Sequence, residues 1–185
     1  QAYTLDTIAP TTTIATKAFS ADTGTSSTDF ITKTASQTIS GTLSAPLATD
    51  EVVKVSLDNG STWTNATATA GQNAWSLSGQ TLTGSSTMQV KVVDAAGNDG
   101  PVSSQAYTLD TIAPTTTIAT KAFSADTGES TLDFITNTAS QTISGTLSSN
   151  LATGEVVKVS LDNGSTWINA TATAGQNAWS LSGQT

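Results

Sequence analysis

Nine side chains in this sequence carry the oxygen chemistry that a hard cation selects: Asp6, Asp22, Asp29, Asp94, Asn98, Asp99, Asp110, Asp126 and Asp133. They fall in turn-rich stretches: Asp22-Thr23-Gly24 with Asp29, the run Asp94-Ala95-Ala96-Gly97-Asn98-Asp99, and the segment Leu109-Asp110-Thr111-Ile112-Ala113-Pro114. Carboxylate and amide oxygens with no nitrogen or sulfur ligand among them suit Ca²⁺, which is the cofactor expected here. The plainer role for each of these residues is to cap a turn, which Asp commonly does.

Composition excludes more chemistry than any motif suggests. The chain has no His and no Cys, and its six basic residues are all Lys. That removes Ser-His-Asp and Cys-His nucleophile pairs, His or thiolate zinc sites and bidentate guanidinium clamps. A paired-carboxylate or Ser-Lys enzyme is what remains, and no catalytic role is expected. A net charge of −8 and a pI near 4.1 repel nucleic acid and anionic membrane surfaces. No apolar run approaches the roughly 20 residues of a membrane span, and no basic-then-apolar leader opens the chain. The sequence reads as an internal stretch of something larger.

The elements that position the carboxylates come in two copies. Gln1 to Pro10 returns intact as Gln105 to Pro114, and at this offset of 104 residues 73 of 81 aligned pairs are identical. The eight differences are Thr25/Glu129, Ser27/Thr131, Thr28/Leu132, Lys33/Asn137, Ala45/Ser149, Pro46/Asn150, Asp50/Gly154 and Thr64/Ile168, mostly in loop-like stretches. A period this long marks a tandem array of whole domains rather than solenoid coils, so neighbouring repeats of the same chain are the expected partners.

Within one copy the hydrophobic period is two. Val53, Val55 and Leu57 share one face of a strand, as do Met88, Val90 and Val92, and Ile39, Gly41 and Leu43. Turn signals at Asp58-Asn59-Gly60, Ala70-Gly71-Gln72-Asn73 and Ala95-Ala96-Gly97-Asn98 separate them. This spacing predicts an all-β fold, an antiparallel β-sandwich with immunoglobulin-like connections. Strand A is expected over residues 11–17, B over 37–43, C over 51–57, short strands over 63–68 and 74–77, F over 88–93 and G over 103–109. The predicted organisation is the last strand and linker of a preceding repeat (1–8), a complete repeat (9–112) and a second repeat (113–185) that stops before F and G. Nothing in the second copy corresponds to Leu82–Ser104, so it is expected to leave an apolar face and a strand edge uncovered.

Strand alternation assigns the loops to two poles. The A–B loop, with Asp22 and Asp29, and linker Asp110 should gather where the chain leaves the repeat. The F–G turn, with Asp94, Asn98 and Asp99, should lie where it arrives. Acidic poles of successive repeats repel unless a divalent ion neutralises them, so Ca²⁺ would stiffen the joint. Pro114 adds stiffness by fixing φ and biasing Ala113 toward extended backbone.

Other motifs have structural explanations. Ser56-Leu57-Asp58-Asn59-Gly60-Ser61-Thr62-Trp63, repeated at 160–167, fits the Asp-box of sialidase propellers, a hairpin stabiliser; a sialidase would need arginines for its substrate carboxylate. Thr11-Thr12-Thr13 and Thr67-Ala68-Thr69 are too few for an ice-binding face, and no direct ice contact is expected. The triplets Asn59-Gly60-Ser61 and Asn65-Ala66-Thr67 fit a glycosylation acceptor pattern too short to be specific.

Together, Ala21-Asp22-Thr23-Gly24, Asp29-Phe30-Ile31-Thr32, the Asp-box, Val93-Asp94-Ala95-Ala96-Gly97-Asn98 and Asp110-Thr111-Ile112-Ala113-Pro114 resemble the bacterial Ig-like repeats of giant repeats-in-toxin adhesins. The 104-residue period most resembles the extender repeats of large ice-binding adhesins. The resemblance implies a calcium-bound spacer, type I secreted to the bacterial cell surface, that projects a distal adhesive domain. It carries the family's metal positions over to Asp22, Asp29, Asp94, Asp110, Asp126 and Asp133. The rival reading is a carbohydrate-binding Ig-like module of a surface protein, which would require exposed aromatic residues lining a groove.

Overall fold

A computed structural model describes residues 3–185, and all the regular secondary structure in it is β. The chain divides into two compact units, Gln1–Ile112 and Ala113–Thr185.

The described residues of the first unit form nine strands: β1 (Ile14–Phe19), β2 (Ile31–Thr32), β3 (Ser36–Leu43), β4 (Val52–Ser56), β5 (Thr64–Asn65), β6 (Thr67–Ala68), β7 (Ala74–Thr81), β8 (Ser86–Val93) and β9 (Ser103–Leu109). They form two sheets, β1-β3-β7-β6 and β2-β9-β8-β4-β5. With β1, β3, β4, β7, β8 and β9 in the places of strands A, B, C, E, F and G, this is the immunoglobulin-like arrangement read from the period-two pattern. The inward positions of both sheets meet in one core: Ile39, Val53, Met88, Val90 and Val92 have no exposed surface, and Trp75 is 2% exposed. Phe19 packs edge-on against both Phe30 and Tyr107, with ring centroids 5.0 and 5.7 Å away.

Two features differ from the expected strand map. Strand A starts at Ile14 rather than at residue 11, because Thr13 bonds Ser44 outside the ladder and the register shifts between Ile14 and Thr16. The A–B connection also contains β2, whose two residues pair in parallel with β9, Ile31 opposite Thr108 and Thr32 opposite Leu109. A two-residue strand leaves no periodic signature in sequence.

The second unit contains β10 (Ile118–Phe123), β11 (Gln141–Leu147), β12 (Lys158–Val159), β13 (Ile168–Asn169), β14 (Thr171–Ala172) and β15 (Ala178–Gln184). Its sheet β10-β11-β15-β14 repeats the order of β1-β3-β7-β6, and β12-β13 form a separate two-stranded ribbon. Among the described residues no helix is long and apolar enough to cross a membrane.

Candidate metal sites at the two ends of the repeat

The loop between β1 and β3 is built on two buried polar residues, Gln37 and Thr32. Gln37 accepts from Ala21 N–H (3.0 Å) and donates through Nε2 to the carbonyls of Ala21 (3.0 Å) and Thr34 (2.7 Å). Thr32 Oγ1 donates to the Ala21 carbonyl at 2.6 Å and accepts from Thr34 N–H. So anchored, Asp22 receives the Phe30 N–H on Oδ2 at 2.9 Å, while Phe30 takes a left-handed φ of 61°. The second copy repeats this: Asp126 receives the Phe134 N–H, and Phe134 has the same φ of 61°. A bulky residue held in that region marks a loop whose conformation is fixed by its surroundings.

Asp22 Oδ1 and Asp126 Oδ1 are buried and have no hydrogen-bond partner among the described residues. A carboxylate oxygen taken out of water with nothing to bond is costly, and a hard cation is what would satisfy it. Asp29 lies near Asp22, its Oδ1 accepting from Ile31 N–H at 3.0 Å; Asp133 repeats this with Ile135. The parallel pairing of β2 with β9 brings Asp110 to the same end, since Thr108 N–H donates to the Phe30 carbonyl and Asp110 N–H to the Thr32 carbonyl, both at 2.9 Å. Asp110 Oδ1 accepts from Ile112 N–H, and Asp6 Oδ1 likewise from Ile8 N–H. In Asp6, Asp29, Asp110 and Asp133, one carboxylate oxygen therefore caps a turn.

At the other end of β9 stands the turn after β8. Asp94 is 9% exposed; its carboxylate accepts from Asn98 N–H (2.8 Å) and Asn98 Nδ2 (2.9 Å). The Asn98 side chain, helped by the turn's N–H groups, holds the Asp94 carboxyl below the usual carboxylate range. Asn98 Nδ2 also donates to the Asp6 carbonyl at 3.2 Å. Asp99 pairs instead with Lys91 at 2.6 Å, and the same ammonium lies 4.2 Å from the centre of the Trp63 ring. One repeat thus divides its acidic residues: Asp22, Asp29 and Asp110 at the downstream end, and Asp94, Asn98 and Asp99, with Asp6, at the upstream end. The seven residues of β9 between them span about 20 Å. Accordingly, no three acidic side chains cluster tightly enough to hold a metal among the described residues.

The sequence reading did not find Gln37, which organises the Asp22 loop. The signal was available, because Gln37 shares the inward face of its strand with Ile39 and Leu43, and a polar residue on a core face needs bonding partners. The Asp-box is the hairpin that its pattern suggested. Asp58 Oδ1 accepts from Thr62 N–H (2.8 Å) and Ser56 Oγ (2.7 Å), Oδ2 accepts from Thr62 Oγ1, and Trp63 Nε1 donates to the Gly60 carbonyl. These bonds, from Thr62 first and then Ser56, pull the Asp58 carboxyl down to about 2. Asp162 is lowered to about 2 in the same way.

A two-sheet sandwich of this order and a repeat of this size define an Ig-like domain. Residues 7–111, more than half of the chain, match the bacterial Ig-like domain, and the chain belongs to that family. No curated protein matches it. Among solved structures it is similar to one described as "Crystal structure of tetra-tandem repeat in extending region of large adhesion protein", with 19% identity and a TM-score of 0.30. That alignment takes in 91% of this chain and 40% of the other.

Proposed function

We propose that this chain is a stretch of the stalk of a bacterial surface adhesin: non-catalytic Ig-like spacer domains whose acidic ends bind Ca²⁺ and hold a distal adhesive domain away from the cell. The observation that carries the reading is the near-identical return of residues 1–81 at 105–185, 73 of 81 unchanged, at an offset that matches the length of the bacterial Ig-like domain at 7–111. Repetition at this fidelity adds length rather than new chemistry. Trp75 is buried and Trp63 is half-buried beneath Lys91, which favours the spacer over a glycan-binding groove lined by aromatic residues.

Asp22 and Asp126 are the first ligands assigned to calcium, because each buries an oxygen with no partner. Asp29, Asp110 and Asp133 stand on the same loops, while Asp94 and Asn98 serve the opposite end. When bound, Ca²⁺ neutralises the clustered negative charge and cross-links segments distant in sequence. Backbone carbonyls commonly complete such sites. Secretion by a type I route, as in repeats-in-toxin adhesins, accords with the acidic, cysteine-free composition.

The test is small-angle X-ray scattering on two or more complete repeats, in millimolar calcium and in excess chelator. The spacer reading expects a long, narrow particle in calcium that shortens or becomes flexible on chelation. Dimensions indifferent to calcium would remove the ion from the proposal, and a compact particle in both conditions would overturn the spacer itself. Asp22→Asn is expected to lose bound calcium by isothermal titration, and Asp110→Ala to loosen the joint more than it destabilises the domain.

A further inference from the structure

We propose that the turn after β8 is a receptor for the linker preceding its own repeat, so that the linker aspartate is clamped on both sides by direct protein contacts. The two halves of this clamp are both present in the first unit. At the downstream end, Asp110 N–H donates to the Thr32 carbonyl at 2.9 Å. At the upstream end, Asp6, the same repeat position, gives its carbonyl to Asn98 Nδ2 at 3.2 Å. In consecutive repeats one residue would thus have its N–H bound by the domain it leaves and its C=O by the domain it approaches.

The receptor is shaped for this occupant. Asn98 is aimed by its two bonds to the Asp94 carboxylate. Gly100 is buried, and a Cβ there would crowd the Pro10 and Val92 carbonyl oxygens at 3.0 Å each and Pro10 Cβ at 3.3 Å, so the absence of a side chain lets the proline sit close. Pro10 is buried, whereas Pro114, in the identical segment Asp110-Thr111-Ile112-Ala113-Pro114, is exposed. The sequence holds no counterpart of Asn98 and Gly100 for that second linker. Of these five residues the proline alone changes, covered where the turn is present and exposed at 114, while Asp6 to Ala9 stay exposed as their counterparts do. Proline's fixed φ lowers the entropy lost on seating.

This inference uses the spacer reading for its purpose, but its contacts need no ion, which makes the two separable. The experiment is ¹⁵N relaxation on the 185-residue chain, comparing Thr7, Ile8 and Ala9 in wild type, Asn98→Ala and Gly100→Val, each in calcium and in chelator. Wild-type order parameters at those residues are expected to stay near about 0.85 in chelator, and to fall below about 0.6 in both variants, with β3 and β8 amides unchanged. Circular dichroism melts identify loss of folding, and Asn98→Ala keeps the test decisive should Gly100→Val unfold. A linker mobile in metal-free wild type, or one indifferent to Asn98→Ala, overturns the proposal. Loosening by chelator alone would leave the calcium reading standing and this one refuted; loosening by Asn98→Ala in chelator would support this one whatever calcium does.

Discussion

The two copies are a controlled comparison: 73 of 81 aligned residues agree, but in this sequence only the first is followed by the segment that forms β8 and β9. One sheet is insensitive to the difference. β10-β11-β15-β14 reproduces β1-β3-β7-β6 partner for partner, with Gly41 opposite Trp75 and Gly145 opposite Trp179, and the same register shift in β1 and β10. The other sheet depends on it. β4 is five residues long because β8 supplies its ladder from Val52–Val93 to Ser56–Gln89, while β12 is reduced to Lys158–Val159. Phe30 is 7% exposed and Phe134 is 42% exposed; Trp63 is half-buried and Trp167 is 59% exposed. The sheet whose strands all lie within the repeated residues therefore forms in both copies, whereas the other is completed only by β8 and β9.

The largest expected effect follows from that asymmetry. Phe30→Ala removes the edge-on contact with Phe19 beneath Tyr107 and should cost the first unit about 3–5 kcal/mol, whereas Phe134→Ala should cost the second about 1 kcal/mol. Amide hydrogen exchange, read separately on β3 and β11, checks it. Equal losses would mean that Phe30 and Phe134 are held alike although β8 and β9 stand over the first alone in these 185 residues.

A second substitution should erase the difference. A Cβ at Gly41 would collide with the Thr16 carbonyl and lie 2.7 Å from Trp75 Cζ2; at Gly145 it would collide with Thr120 and lie 2.9 Å from Trp179 Cζ2. Gly41→Ala and Gly145→Ala should each cost about 3 kcal/mol, by overpacking against backbone that cannot retreat. Denaturant melts of the single variants, with exchange assigning the loss to its unit, would show it. A clear inequality would place the strain outside the shared sheet.

What the sequence made legible follows the same division. β3, β4, β8 and β9 were read within a few residues because alternation such as Val53-Lys54-Val55 reports a half-buried face directly. The glycine in Ile39-Ser40-Gly41-Thr42-Leu43 showed its inward face, but not that it makes room for Trp75, which depends on a strand 34 residues away. β2 escaped notice because its two residues are defined by β9 alone. The grouping of Asp22, Asp29 and Asp110 at one end followed from strand alternation, whereas the unpartnered Asp22 oxygen depends on how Gln37 and Thr32 fold the loop beneath it.

A smaller effect separates the copies again. Lys91 lies on β8, where it bonds Asp99 and covers Trp63. Lys91→Ala should cost the first unit about 1 kcal/mol and leave exchange in β11 and β15 unchanged. Intrinsic fluorescence should report it too, with a red shift as Trp63 gains water.

The Asp-box should show the least difference between the copies, because its bonds are made within eight residues of chain. Asp58 and Asp162 are both drawn down to about 2 by Thr and Ser donors of their own turn, although the tryptophans beside them differ in exposure. A folded value below the unfolded one of about 3.9 means that each carboxylate stabilises its hairpin above pH 4, and that this contribution is lost as pH falls from about 4 to about 2. Carboxyl ¹³C titration should give two coincident midpoints near 2. Separate midpoints, with Asp162 nearer the ordinary value, would show that the hairpin draws its order from β8, through contacts such as Gln89 Nε2 to Asn59 Oδ1 at 3.2 Å, and not from its own turn.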